Sequence, residues 1–413
     1  MLDNIIQDII RNASQKREKG DFPSHEGLRR LRELGTELWL DTGDLEKALL
    51  VWKKEFTALT TNNTLVNRVV QQGIFDSLIM EAAGRIRKAC PEISNEDLVL
   101  EVGFVLNCRT ALRLVEAFDC MVSVELHPKF SHDIPSTIRY ARRYYSICPE
   151  RFIIKIPLTP AGYLAARTLS MENIPINFTL GFSARQNMLA ATLSNPAYVN
   201  IFMGRLNQVV IENHLGDGKY VGEKATLATQ WALNETKKRY PEIKTRLIGA
   251  SMRDGQQLVD LAGIDVYTAP PVAVQQFLDL NLPPEGLTSQ LNRKFDINFG
   301  AMNTEKEFGF YQLWSVDEKF RKAANEIKME NWDSAGEEEL ISFFENRGIR
   351  MFYCFSEEEL ACIREKGKIP KLSVWKDKEV PLDYLMTVSA LEAFACDQQE
   401  LDERITQKMG TPG

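Results

Sequence analysis

The chain has 413 residues, 44% of them hydrophobic and 26% charged, an ordinary balance for a globular protein built around one large core. Its formal net charge of −7, with no basic stripe to offset it, argues against a general nucleic-acid binder. No uncharged apolar run reaches bilayer-spanning length, and seven scattered cysteines without a C-x-x-C pair suit a reducing, cytoplasmic setting and neither a disulfide framework nor a zinc site.

Residues 1–20, MLDNIIQDIIRNASQKREKG, do not read as a secretory leader, because acidic and polar residues interrupt the apolar positions. Leu2, Ile5, Ile6, Ile9 and Ile10 recur at helical spacing and predict an amphipathic helix. Asp3, Asp8 and the lack of a basic face favour packing over a membrane-surface role. A charged linker then leads to a short helix over 25–35, with Leu28, Leu31 and Leu34 along one side.

Eight strand signals follow: 37–43 (ELWLDTG), 58–63 (ALTTNN), 122–128 (VSVELHP), 152–157 (FIIKIP), 175–183 (PINFTLGFS), 198–205 (YVNIFMGR), 245–251 (TRLIGAS) and 265–271 (DVYTAPP). Helical stretches separate them. Two fit between the second and third strands, at 64–88 and 96–118, and others cover 161–173 and 224–239. Strand and helix alternating eight times imply parallel pairing through right-handed crossovers, and eight units close an α/β fold of the (β/α)₈ TIM barrel type. A doubly wound sheet would need a glycine-rich phosphate turn after its first strand. DTGDLEKA is not one, and no P-loop occurs.

The chain thus divides into an N-terminal helical segment (1–36), a barrel (37–290) and a C-terminal helical extension (291–413). In the extension, the aromatic cluster FGFYQLW within 307–327 runs into a charged helix. An insertion at 330–385 mixes acidic helices with a Gly/Pro-broken connection, a helix over 386–408 closes the fold, and the tail 410–413 is expected to fray.

The stretch 151–157, RFIIKIP, places Lys155 inside an apolar run of the kind buried on both faces of a parallel sheet. An amine deprived of water favours its neutral, nucleophilic form, the requirement for Schiff-base chemistry with a carbonyl. The plainer alternative is a lysine that snorkels from a strand end or pairs with a buried carboxylate. Active sites of parallel barrels lie at the C-terminal strand ends. There the chain offers Asp41, Asn62, Glu125, Lys155, Asn177, Thr179, Asn200, Ser251 and Arg253. For any one of these a cap or a satisfied turn is a sufficient account, and Asp41-Thr-Gly-Asp in particular could cap the helix starting near Leu45. For all together it is a weak one, since a buried polar group without a partner costs about 1–3 kcal/mol. Lys155 is then the amine, Glu125 with Thr179 the proton shuttle, and Asp41 the base on a substrate hydroxyl. Arg205 and Arg253 follow strands six and seven, where barrels often hold phosphate. His127 and His132 are read as ordinary loop residues, with too few histidines in the chain for a metal hydrolase.

Taken in order, LDTGD (40–44), TTNNTLV (60–66), VSVELHPKFSHD (122–133), FIIKIPLT (152–159), INFTLGFS (176–183), FMGR (202–205) and IGASMRDGQQL (248–258) resemble the motifs of the transaldolase family, the Schiff-base-forming class I aldolases that transfer dihydroxyacetone. The likeness spans 37–275 and returns in FYQLW and in LEAFACDQQEL (391–401). It implies a lysine Schiff base at Lys155, Asp41 as acid/base, and Glu125 and Thr179 assisting through a water. Asn62, Asn177 and Ser251 would contact substrate hydroxyls, with Phe202 lining the site and Arg205 and Arg253 on the phosphate. Also implied are sugar-phosphate substrates, no cofactor or metal, and a place in the non-oxidative pentose phosphate pathway. Charge and apolar-run length for their part lead one to expect no nucleic-acid or membrane partner, and a monomer or homodimer is expected. The chain departs from the family at Asn200-Ile201, where Ser-Pro is usual, at TTNN in place of TTNP, and in the 330–385 insertion. These departures bear on substrate positioning and on the balance between transfer and a simple aldolase that releases free dihydroxyacetone or uses a different acceptor. A third reading, a non-catalytic sugar-phosphate-binding barrel, is opposed by the presence of Asp41, Glu125, Lys155 and Thr179 together.

Overall fold

The computed structural model describes residues 2–13 and 20–410; most of the charged linker and the last three residues, where fraying is expected, lie outside the described residues. Eight strands form a closed parallel barrel in chain order: β1 (Glu37–Asp41), β2 (Phe56–Thr60), β3 (Met121–Glu125), β4 (Phe152–Pro157), β5 (Ile176–Thr179), β6 (Tyr198–Phe202), β7 (Arg246–Ala250) and β8 (Val266–Ala269), with β8 pairing back onto β1. The fold is therefore the (β/α)₈ TIM barrel that the alternation predicts.

Seven of the eight strands stop short of the run expected from the sequence, β4 alone ending at Pro157 as expected, and the reason is local. The predicted fifth strand ran to 183, but Leu180 turns to φ 62 and Ser183 caps the next helix, Ala184–Leu193, through Oγ. The sixth ran to 205, but helix Met203–Glu212 starts directly after β6, so Arg205 sits on a first helical turn. The single helix expected over 64–88 is two, Asn63–Gln71 and Asp76–Ala89, broken where Gly73 adopts φ +81.

Inside the barrel the alternation of side chains fills the N-terminal end with bulk. Trp39 and Tyr198 meet edge to face at 4.6 Å, and Glu37 accepts from Trp39 Nε1 and Thr57 Oγ1, each at 2.7 Å. The interior is thus plugged at one end and opens only at the C-terminal strand ends. The N-terminal helix Leu2–Asn12 buries Ile6, Ile9 and Ile10 against Asp76–Ala89 and Asn95–Phe118. Among the described residues no helix is long and apolar enough to cross a membrane.

Beyond β8 the chain returns over the barrel mouth. Helices Glu318–Met329, Glu337–Glu345 and Glu357–Lys366 precede the long closing helix Leu382–Met409. That helix packs along Asn63–Gln71, Asp76–Ala89 and Asn95–Phe118. Its Asp383 is fully buried and accepts from Arg185 and from Ser183 Oγ, which fixes the extension to the turn after β5.

Candidate active site

Lys155 lies in register with Glu125 on one neighbouring strand and Asn177 on the other, so the three side chains share one face of the sheet. That face is the barrel interior, and Lys155 is only 3% exposed. Its Nζ donates to the carbonyl oxygen of Thr61 at 3.0 Å and lies 3.3 Å from Glu125 Oε2. The second contact is an ion pair outside hydrogen-bond geometry, so Oε2 is buried with the Lys155 ammonium as its counter-charge. Burial raises the Glu125 carboxyl above the ordinary carboxylate range, against the pull of the Lys155 charge.

Asp41 ends β1 opposite Thr60 of β2. Thr60 Oγ1 donates to Asp41 Oδ1 at 2.6 Å and stands 2.6 Å from Thr268 Oγ1 of β8. A hydroxyl carries one hydrogen, so Thr60 gives it to Asp41 and receives from Thr268. This relay fixes the carboxylate. Burial also raises Asp41, opposed first by Lys155 and then by the Thr60 bond. Asp41 is no helix cap: that task falls to Asp44, whose Oδ1 accepts from the amides of Glu46 and Lys47 at 3.1 and 3.3 Å.

A cavity of 420 Å³ opens above these groups and is lined by Asp41, Asn62, Lys155, Asn177, Asn200, Phe202, Arg205, Ser251 and Arg253. Glu125 and Thr179 do not line it. Glu125 reaches it through Lys155, while Thr179, opposite Pro157 in register, holds a buried Oγ1 with no hydrogen-bond partner. Asn177 Oδ1 and Arg205 Nη1 are likewise buried and unpartnered. Such groups cost about 1–3 kcal/mol each unless a ligand or water meets them. Two of them, Asn177 Oδ1 and Arg205 Nη1, belong to residues that line this one cavity, which marks it as a binding site.

The remaining polar residues are positioned by their own local bonds. Asn62 Oδ1 caps helix Asn63–Gln71 by accepting from Leu65 N at 2.8 Å. Asn177 Nδ2 donates to Ser123 Oγ at 3.0 Å. Asn200 is part of the frame as well as the lining: its Oδ1 accepts from Gly181 N at 3.2 Å and its carbonyl from Asn187 Nδ2 at 2.9 Å. Arg205, 6% exposed, lies over the rings of Phe202 and Phe394, and burial with the nearby Arg253 lowers its pKa to about 10. Ser251 adopts φ 61, and its carbonyl accepts from Gly204 N at 3.1 Å. A Cβ at Gly204 would fall 2.2 Å from that carbonyl oxygen and 2.6 Å from Arg253 Nε, so only glycine lets the two arginine-bearing segments close together.

Several contributors escaped sequence reasoning. Thr60 and Thr268 line the cavity beside Asp41, Ser123 stands behind Asn177, and the TT of TTNN is the visible hint of Thr60. Arg68, Lys368, Ile369 and Phe394 also line the cavity, the last three from the C-terminal extension. His127 and His132 each meet a carboxylate from that extension, Asp402 at 3.3 Å and Glu337 at 2.9 Å. Among the described residues no three His, Cys, Asp or Glu side chains converge as a metal site. A larger groove of 660 Å³ lies between those histidines, Tyr353–Phe355 and the closing helix. Its charged groups are already paired, as in Arg364–Glu392 and Lys129–Glu96, so it offers less to chemistry than the smaller cavity around Lys155.

Residues 38–330 match the model of the family described as transaldolase/fructose-6-phosphate aldolase. Proteins named transaldolase are similar along most of their length. The one from Prochlorococcus marinus is 29% identical over 309 residues, 70% of this chain and 88% of the relative. That of Protochlamydia amoebophila is 28% identical over 295 residues, 66% and 88%. That of Xanthomonas euvesicatoria pv. vesicatoria is 30% identical over 255 residues, 59% and 75%.

Proposed function

Since the chain belongs to the transaldolase/fructose-6-phosphate aldolase family and is a transferase of the transaldolase type, we propose that it moves a dihydroxyacetone unit from a ketose phosphate to an aldose phosphate through a Schiff base at Lys155. The donor is sedoheptulose 7-phosphate or fructose 6-phosphate and the acceptor glyceraldehyde 3-phosphate or erythrose 4-phosphate, as in the non-oxidative pentose phosphate pathway. The observation that carries this reading is the burial of Lys155 Nζ beside Glu125, at the wall of a cavity that Asp41 also lines.

The chemistry follows from the positions. Lys155 attacks the ketose carbonyl carbon, and Glu125 with Thr179 passes protons through a water so that the carbinolamine oxygen leaves as water. Asp41 takes the proton of the hydroxyl on the far carbon of the bond to be broken, and that carbon becomes the aldehyde of the departing sugar. That carbon–carbon bond then cleaves, the aldose phosphate departs, and the electron pair remains on the lysine-bound three-carbon enamine. The enamine attacks the acceptor aldehyde, Asp41 returns its proton, and water releases the new ketose. Asn62, Asn177, Asn200 and Ser251 hold substrate hydroxyls, Phe202 packs on the carbon chain, and Arg205 and Arg253 hold the phosphate.

The test is borohydride reduction in the presence of fructose 6-phosphate, followed by peptide mapping. A three-carbon adduct on the peptide containing Lys155 is expected. An adduct on another lysine, or none, refutes the Schiff-base assignment.

A further inference from the structure

We propose that Lys368, supplied by the C-terminal extension, is a substrate-binding residue that joins Arg205 and Arg253 around the anionic end of the sugar phosphate. The inference rests on reading the Arg205–Arg253 corner as a phosphate site. Lys368 lines the same cavity as both arginines, although it comes from the insertion that has no counterpart in the barrel motifs.

Its position is held by the frame of the site. Gly367 turns the chain out of helix Glu357–Lys366 at φ +78, so the next residue leaves the helix axis. Asn213, the C-cap of the helix that begins beside Arg205, then clamps the segment that follows. Its Nδ2 donates to the carbonyl oxygen of Pro370 at 3.0 Å and its Oδ1 accepts from Leu372 N at 2.8 Å. Two bonds from one side chain thus tie the strap carrying Lys368 to the helix carrying Arg205.

The ordinary account of Lys368 is a surface lysine paired with Asp397. Nζ stands 3.7 Å from Asp397 Oδ2, however, which is ion-pair range but beyond a hydrogen bond, so its donors stay uncommitted. Asp397 is already engaged by Thr64 Oγ1 and also acts on Arg205. Among the described residues neither Arg205 nor Arg253 has a carboxylate partner in salt-bridge contact, and Arg205 Nη1 has no hydrogen-bond partner. A dianionic phosphate meets the two arginines and the ammonium together. An ammonium on a flexible stem suits it as a point charge, beside guanidinium groups that set direction.

The experiment compares fructose 6-phosphate with unphosphorylated fructose as donors, and adds inorganic phosphate as a competitive inhibitor. Lys368→Met, Lys368→Arg and Arg253→Ala are run beside the unaltered chain. Lys368→Met should lower the preference for the phosphorylated donor by about tenfold, through KM, and weaken phosphate inhibition in parallel. Lys368→Arg should keep most of both, which sets aside a folding defect. If Arg253→Ala erodes the preference and Lys368→Met does not, Lys368 is excluded while the phosphate site stands. If neither variant changes it, the phosphate reading of this corner falls and the proposal with it. Equal loss in Lys368→Met and Lys368→Arg also overturns it, because charge would not be the cause.

Discussion

Arg185 grips Asp383 with two nitrogens, Nε to Oδ2 at 2.7 Å and Nη2 to Oδ1 at 2.6 Å, and both side chains are buried. The pair joins the start of the helix after β5 to the start of the closing helix, so the extension that carries Phe394 into the cavity hangs on it. Breaking a buried pair from one side strands a charge. Asp383→Ala should therefore cost about 3–5 kcal/mol, read as a lower denaturant midpoint. Replacing both partners by apolar residues, Arg185→Met with Asp383→Leu, should recover much of that loss. If the double variant is no better than the single one, hydrogen bonds to Ser183 and Gln312 matter more than the charge pair.

Gly204 gives a sharper probe of the arginine corner than either arginine. A methyl group there meets the Ser251 carbonyl oxygen, a backbone atom that can yield only by moving the loop that carries Arg253. Gly204→Ala should destabilise the fold by about 1–3 kcal/mol as an overpacked contact. It should also raise KM for fructose 6-phosphate several-fold, roughly as a lost charge-assisted contact does, with kcat less affected. An unchanged KM would show that Arg253 keeps its place despite the shift.

What the sequence made legible, and what it did not, follows from which signals are local. The alternation of apolar runs with amphipathic stretches is local, and it led to the barrel and its strand order. The polar residue at each strand end is local too, which is why nine of the eleven expected residues line one cavity. Thr60 was passed over because its partners, Asp41 and Thr268, come from strands that meet it only when the barrel closes. Lys368 was invisible for a stronger reason. Its neighbours Arg205 and Arg253 lie more than a hundred residues away in the chain, and nothing periodic marks the strap that returns to them. Strand ends were overrun because a helix cap such as Ser183 reads like a strand's polar terminus until its amide partner is known.

The cysteines offer a check on burial that needs no substrate. Burial pushes the Cys120 thiol up to about 12 and lifts Cys108 as well, whereas Cys354 and Cys396 are exposed. The thiolate is the reactive species. Alkylation of the native protein at pH 8 should label Cys354 and Cys396 first, and Cys108 and Cys120 only after unfolding. Early labelling of Cys120 would show that the helix-to-β3 turn opens under native conditions.

The relay that ends on Asp41 makes the last prediction, and its sign can be worked out. Burial raises this carboxyl, and the Thr60 hydrogen bond acts against that by favouring the ionised form. Asp41 serves as the base in cleavage, so activity is lost as pH falls through its raised pKa. Thr60→Val removes the bond without removing the carboxylate. The acid limb of kcat/KM should then move to higher pH, with kcat at neutral pH down by about tenfold. Asp41→Asn should instead lower kcat at every pH by about 10²–10⁴, the scale of a lost general base. Stability should report the same group independently. A carboxyl raised on folding stabilises the native state at acid pH, and that contribution is lost as pH rises through the folded pKa. The stability of Asp41→Asn relative to the unaltered chain should therefore increase from about pH 4 upward. A difference that stays flat with pH would mean that Lys155 and Thr60 together cancel the cost of burying Asp41, and that its acid limb lies where an exposed aspartate's would.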